Sequence, residues 1–256
     1  MKTKLTSQVF LFVAIAFAFS ACKKDTVELD MNNLNDYVEF NNKLVLDDLI
    51  SCAGGNNTEF MGDTQNPISV FFYPDAGATD FRYFETTDVS VDKSNYANYT
   101  QVDLGLTPLF NGTMMKFDHP AITTERWGVV TYRTEGKLHI CNPVRLKPSS
   151  APTSDISSIT TVTENGTTPA FDWTPENEPS NVIYFSIVAD NANNLISGVY
   201  TYDKFWTFYD LSNVVLNVSP PNPSLTSGDS YNYTLMGVSE DNWVHTMAMQ
   251  SFVATP

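Results

Sequence analysis

The 256-residue chain has only three cysteines and three histidines. His119, His139 and His245 lie far apart, with no partner histidine at ligand spacing and no His-Glu-x-x-His, so the pattern builds no metal site. His139 and Cys141, two apart on one strand, have the spacing of a packed pair. There is no Gly-x-Ser-x-Gly elbow, Walker loop or dinucleotide fingerprint. Basic residues are scarce: 14 Lys and Arg stand against 29 Asp and Glu, giving a net charge of −15. Such a chain repels phosphate backbones, which argues against a nucleic-acid partner. No segment shows a sustained, capped helical stripe, so an α class is not expected. These absences predict no enzyme, no cofactor and no metal.

One long apolar run stands out, from Val9 to Phe19, behind the basic start Met1-Lys2-Thr3-Lys4. It suits a secretory leader and is short of the ~20 apolar residues of a spanning helix. The residues that follow, Phe19-Ser20-Ala21-Cys22, resemble the lipobox of bacterial lipoproteins, with Phe where Leu is commoner. The resemblance implies a signal peptide over 1–21, cleavage before Cys22 and acylation of that cysteine, each buried CH₂ adding roughly 0.8 kcal/mol of anchoring. Lys23-Lys24-Asp25 resembles the start of Bacteroidetes-type surface lipoproteins, which implies attachment to the outer membrane. Asp25-Thr26-Val27 resembles that phylum's O-glycosylation signature, with Thr26 as acceptor. The Asn- and Asp-rich stretch 22–43 reads as a tether, with Tyr37–Phe40 able to dock.

Beyond residue 44 the period is two. Ile68–Tyr73 is β-branched and aromatic and stops at Pro74-Asp75-Ala76-Gly77; Phe81–Glu85 follows. Trp127–Arg133 and Lys137–Cys141, joined through Thr134-Glu135-Gly136, read as a hairpin. The Pro/Ser/Thr segment 148–154 separates 44–147 from 155–256, each the usual size of a β-sandwich. In the second piece seven strands are predicted: 158–162, 170–173, 182–189, 196–202, 214–218, 231–238 and 246–253. Asp190-Asn191-Ala192-Asn193-Asn194 carries oxygens enough to suggest calcium but reads as a turn between strands. The fold class is therefore all-β, with two immunoglobulin-like β-sandwich domains in tandem after the lipoprotein signal peptide. With Cys22 acylated, Cys52 and Cys141 form either a disulfide or two separate buried thiols.

Phe171-Asp172-Trp173-Thr174-Pro175 resembles the second strand of a fibronectin type III domain, whose Trp fills the core. Leu225-Thr226-Ser227-Gly228-Asp229-Ser230-Tyr231 resembles that family's tyrosine corner, which implies that the Tyr231 hydroxyl ties back to the backbone ahead of it. The interval from Trp173 to Tyr231 is longer than in the family, so an elongated hairpin or insertion is expected near 198–212. The fold hosts many roles and names none.

Tyr200–Asp210 is the densest aromatic stretch. Alternation breaks at Phe205-Trp206 and Phe208-Tyr209, so a two-faced strand cannot bury every ring. Tyr202, Phe205, Trp206 and Tyr209 are thus candidates for an exposed, sugar-stacking surface; the alternative is a bulge packed over the sandwich edge. Two functions follow. One is a lipid-anchored cell-envelope protein acting as a non-catalytic structural or protein-interaction module. The other is a glycan-binding surface lipoprotein of a polysaccharide-uptake system.

Overall fold

The computed structural model describes residues 28–42, 44–55 and 64–255, and of 44–49 only the backbone. The N-terminal half contains β1 (Leu44–Gly55), β2 (Ile68–Tyr73), β3 (Thr79–Glu85), β4 (Thr100–Val102), β5 (Gly105–Leu109), β6 (Met114–His119), β7 (Arg126–Thr134), β8 (Lys137–Cys141) and β9 (Val144–Leu146). Their order is β4-β3-β7-β8-β1-β2-β6-β5, with β9 beside β7. β1 serves two sheets: its first part runs parallel to β8, and after an irregularity its second part runs antiparallel to β2. The sheet thereby folds over on itself, and rings meet across the gap, Phe72 with Phe81 and Tyr83 with Phe117. The β7–β8 hairpin turns through Glu135 (φ 49°) and Gly136 (φ 75°), the left-handed pair that a two-residue turn requires.

The C-terminal half contains β10 (Ser154–Asp155), β11 (Thr161–Thr163), β12 (Ala170–Asp172), β13 (Asn181–Asp190), β14 (Leu195–Thr201), β15 (Phe205–Thr207), β16 (Val214–Asn217), β17 (Ser230–Ser239) and β18 (Val244–Val253). A sheet ordered β10-β18-β17-β13-β14-β16 packs against the small sheet β11-β12-β15. Trp173 and Phe171 are buried between them, Phe171 stacking on Tyr233 at 4.0 Å. The Tyr231 hydroxyl accepts the Thr226 N–H at 2.8 Å, five residues ahead. The protein is thus an all-β, sandwich-type fold. β15 was not among the expected strands: it occupies the anticipated insertion and pairs with β12.

The larger C-terminal sheet is covered on both faces. Its second face, carrying Phe185, Ile187, Met236, Val238, Val244 and Met247, packs on Phe71 and Met114 of the N-terminal half. β2 shows why the run Ile68–Tyr73 carries apolar residues on both faces. Ile68, Val70 and Phe72 enter the N-terminal core while Phe71 and Tyr73 enter this shared one. The β17–β18 turn also carries Trp243 into the N-terminal core, fully buried, where Ala53 bridges to it and its indole N–H reaches the Ala151 carbonyl. The connector at 148–154 is part of this seam. Thr153 is buried, its N–H donates to Gly55 O, and its hydroxyl bonds Gly55 N–H and Val244 O.

The second part of the 22–43 stretch is structured. Leu34–Phe40 is a short helix, α1, capped by the Asn33 side chain, which accepts the Asn35 and Asp36 N–H groups. Leu34 and Tyr37 are buried against the first sheet, so the second part of the tether belongs to the folded body. Seven residues are too few for a helical period to emerge from sequence. No helix among the described residues is long and apolar enough to cross a membrane.

Candidate functional site

The aromatic stretch divides by burial. Trp206 is 1% exposed, stacks on Phe171, and donates its indole N–H to Asp210 O. Its expected role as a stacking residue is corrected: it is a core residue, because β15 turns alternate side chains into and out of the small sandwich. Tyr202, Phe205 and Tyr209 face solvent at 66%, 49% and 60% exposure. Leu211, Val215 and Leu216 are exposed beside them. Asn213 ties the stretch together by donating to Phe205 O. These exposed apolar side chains fall in the strip of chain from the end of β14, through β15 of the small sheet, to β16 at the edge of the larger sheet.

Its scaffold is rigid underneath. Phe208 and Trp206 anchor the loop in the core. Tyr209 between them and Asp210 has φ 69°, a left-handed conformation uncommon for a bulky side chain. The backbone therefore holds that ring outward at some cost. Behind Phe205, Lys204 pairs with Glu176 at 2.9 Å. Burial raises the Glu176 pKa, but hydrogen bonds from Tyr184, Lys204 and the Glu178 N–H outweigh it, and the carboxyl is held below its ordinary value. Asp210 is likewise lowered, chiefly by the Ser212 N–H. Glu176 is buried and neutralised by Lys204, so the exposed carboxylates beside these rings are Asp203 and Asp210.

The other sequence candidates separate widely. Cys22 and Thr26 lie outside the described residues. Cys52 and Cys141 are free thiols, so of the two possibilities the separate pair is realised. Cys141 packs in the N-terminal core, its sulfur accepting the Val130 N–H, whereas Cys52 faces the shared core between the halves. Burial pushes Cys52 up to about 12 and Cys141 up to about 11, leaving both as unreactive thiols. Asp190 closes its own turn, accepting from the Ala192 and Asn194 N–H groups and the Asn194 amide. His119 sits buried between Glu85 and Pro120 O, with Arg126 on the same carboxylate. No three His, Cys, Asp or Glu side chains among the described residues gather as a cation site.

The signal for the exposed strip was present in sequence, as the broken alternation. The signal for β16's contribution was not, because Val214-Val215-Leu216 looks like an ordinary buried strand. Compared with known proteins, the sequence matches no family model and no curated protein.

Proposed function

We propose that this chain is a lipid-anchored cell-envelope protein that acts by binding rather than catalysis, with the strip 202–216 as its contact surface. The single observation that carries the reading is the exposure of six large apolar side chains, Tyr202, Phe205, Tyr209, Leu211, Val215 and Leu216, within one short stretch of chain. Apolar patches of this kind, rimmed by polar groups, mark interaction sites. The leader and Cys22 support anchoring at the outer membrane. The strand order, buried Trp173 and bonded Tyr231 support two immunoglobulin-like sandwiches, the second similar to fibronectin type III.

The first partner class is another envelope protein, since aliphatic residues make up half of the strip. A photo-crosslinker at Val215 in intact envelopes is expected to capture a discrete adduct that vanishes with Tyr202→Ala/Phe205→Ala/Tyr209→Ala. A glycan is the second reading, favoured by three solvent-facing rings edged by Asp203 and Asp210. A glycan array probed with the wild type and that triple variant decides it. Binding lost in a folded triple variant assigns the strip to carbohydrate; no binding to any glycan leaves the protein partner.

A further inference from the structure

A cavity lies beside the first described residues. Residues 28–33 run along the N-terminal sheet, with Asn32 O accepting the Gln101 N–H and Met31 O facing Arg82. Between this segment, α1 and the adjoining ends of β3 and β7 is a cavity of about 520 Å³. Leu29, Met31 and Phe40 form its apolar wall, and Phe40 is 61% exposed at the end of α1. The polar side holds Tyr37, Asp80, Arg82 and Arg133.

The two arginines differ. Arg82 is committed: it pairs with Asp80 at 2.9 Å, bonds Gln101, and lies over the Tyr37 ring at 4.2 Å. Tyr37 also donates to Asp80, so that carboxylate is saturated from two sides. Arg133 lies near enough to Asp80 and Tyr37 to favour their charged forms, but among the described residues its guanidinium makes no direct ion pair or hydrogen bond. In a chain with 29 acidic residues and 14 basic ones, a cavity guanidinium whose nearest carboxylate, Asp80, is already bonded by Arg82 and Tyr37 is conspicuous. Its planar fork suits two oxygens of a phosphate. The neighbouring elements carry Glu28, Glu39 and Glu135. General surface charge therefore does not draw an anion here, and the seated guanidinium does.

The position of the cavity selects the occupant. Glu28, the first described residue, is six residues from Cys22, a reach of roughly 20 Å at full extension. If Cys22 carries acyl chains, the cavity lies within that distance of the bilayer. We infer that this end of the protein docks on the membrane, with Arg133 taking a phospholipid phosphate and Phe40 entering the interface, where apolar side chains sit about 5–10 Å deep. The inference rests on the anchored reading above. It turns the anchor from a loose leash into a two-point attachment that fixes which face of the protein points away from the membrane.

The test uses the full acylated chain carrying Phe40→Trp in vesicles with brominated acyl chains. One set is phosphatidylethanolamine with phosphatidylglycerol and the other is phosphate-free galactosyl diacylglycerol. Trp173, Trp206 and Trp243 are buried and Trp127 is half-buried, so quenching in excess of that of the chain with Phe40 intact reports position 40. The expected result is flotation with both lipids, several-fold stronger quenching in the phospholipid, and loss of that excess in Arg133→Glu. Arg133→Lys, which keeps the charge but not the fork, is expected to fall between. Flotation without quenching, or equal quenching by both lipids, overturns the inference while leaving the anchor intact. A chain that does not float and has no added mass at Cys22 overturns the anchored reading and this inference together.

Discussion

The two faces of the large C-terminal sheet are filled in different ways. The face toward the small sheet is aromatic, with Phe171, Trp173, Tyr184, Tyr233 and Phe252 in mutual contact. The face toward the N-terminal half has one ring stack, Phe185 on Tyr200, and is otherwise aliphatic and sulfur-bearing, with Ile187, Met236, Val238, Val244 and Met247. Stacked rings fix one arrangement, since each pair has a preferred geometry worth about 0.5–1.5 kcal/mol beyond area. Methionines conform to whatever surface they meet. The sandwich thus carries its own rigid interior and a more adaptable mating surface.

That contrast can be broken by substitution. Phe171→Ala is expected to cost about 3–5 kcal/mol, because it removes the ring on which Trp206, Tyr233 and Phe252 all rest. Met236→Ala on the other face is expected to cost less, about 2–4 kcal/mol, as its neighbours relax into the space. Urea unfolding of both, followed by fluorescence and circular dichroism, checks the order. Both variants should keep a single transition, because Trp243 ties the halves; two separated transitions in Met236→Ala would show that the halves are independent.

Acid sharpens the comparison at the aromatic face. Glu176 is bonded by Tyr184 at 2.5 Å and by Lys204, and its pKa is lowered on folding despite burial. A carboxyl lowered on folding stabilises fully above its unfolded value, and that contribution fades as pH falls through the folded value. Wild-type stability should therefore decline in the acid range, and Glu176→Gln should flatten the decline while costing about 2 kcal/mol at neutral pH. Denaturation midpoints from pH 7 down to the acid limb test this. Tyr231→Phe has the smallest expected effect, about 1 kcal/mol, for the lost acceptor of the Thr226 N–H.

Much of this was legible in the chain. Ile68–Tyr73, Phe81–Glu85 and the hairpin at 134–136 appear as expected because strand preference and turn chemistry agree there. The double coverage was also written down, in β2 and β13, whose apolar residues occupy both faces and are interrupted only by Ser69 and Ser186 in their middles, but a reading in terms of period two passes over it. Trp243 was not legible at all: a buried indole at a hairpin tip has no local signature, since its cavity is made by residues far away in sequence. For the strip, broken alternation showed that some rings had to be outside. It could not say which, because that depends on the three-residue strand β15 pairing with β12.

Trp243 has a consequence for how the chain is made. The N-terminal half emerges first, yet its interior lacks a large ring until nearly the whole sequence has been synthesised, and the bridge from Ala53 to Trp243 spans most of the chain. Contacts so distant in sequence close slowly, since much loop entropy is lost before they form. An early half with an unfilled interior remains pliant until the last hairpin arrives. The plug that completes the structure is delivered last.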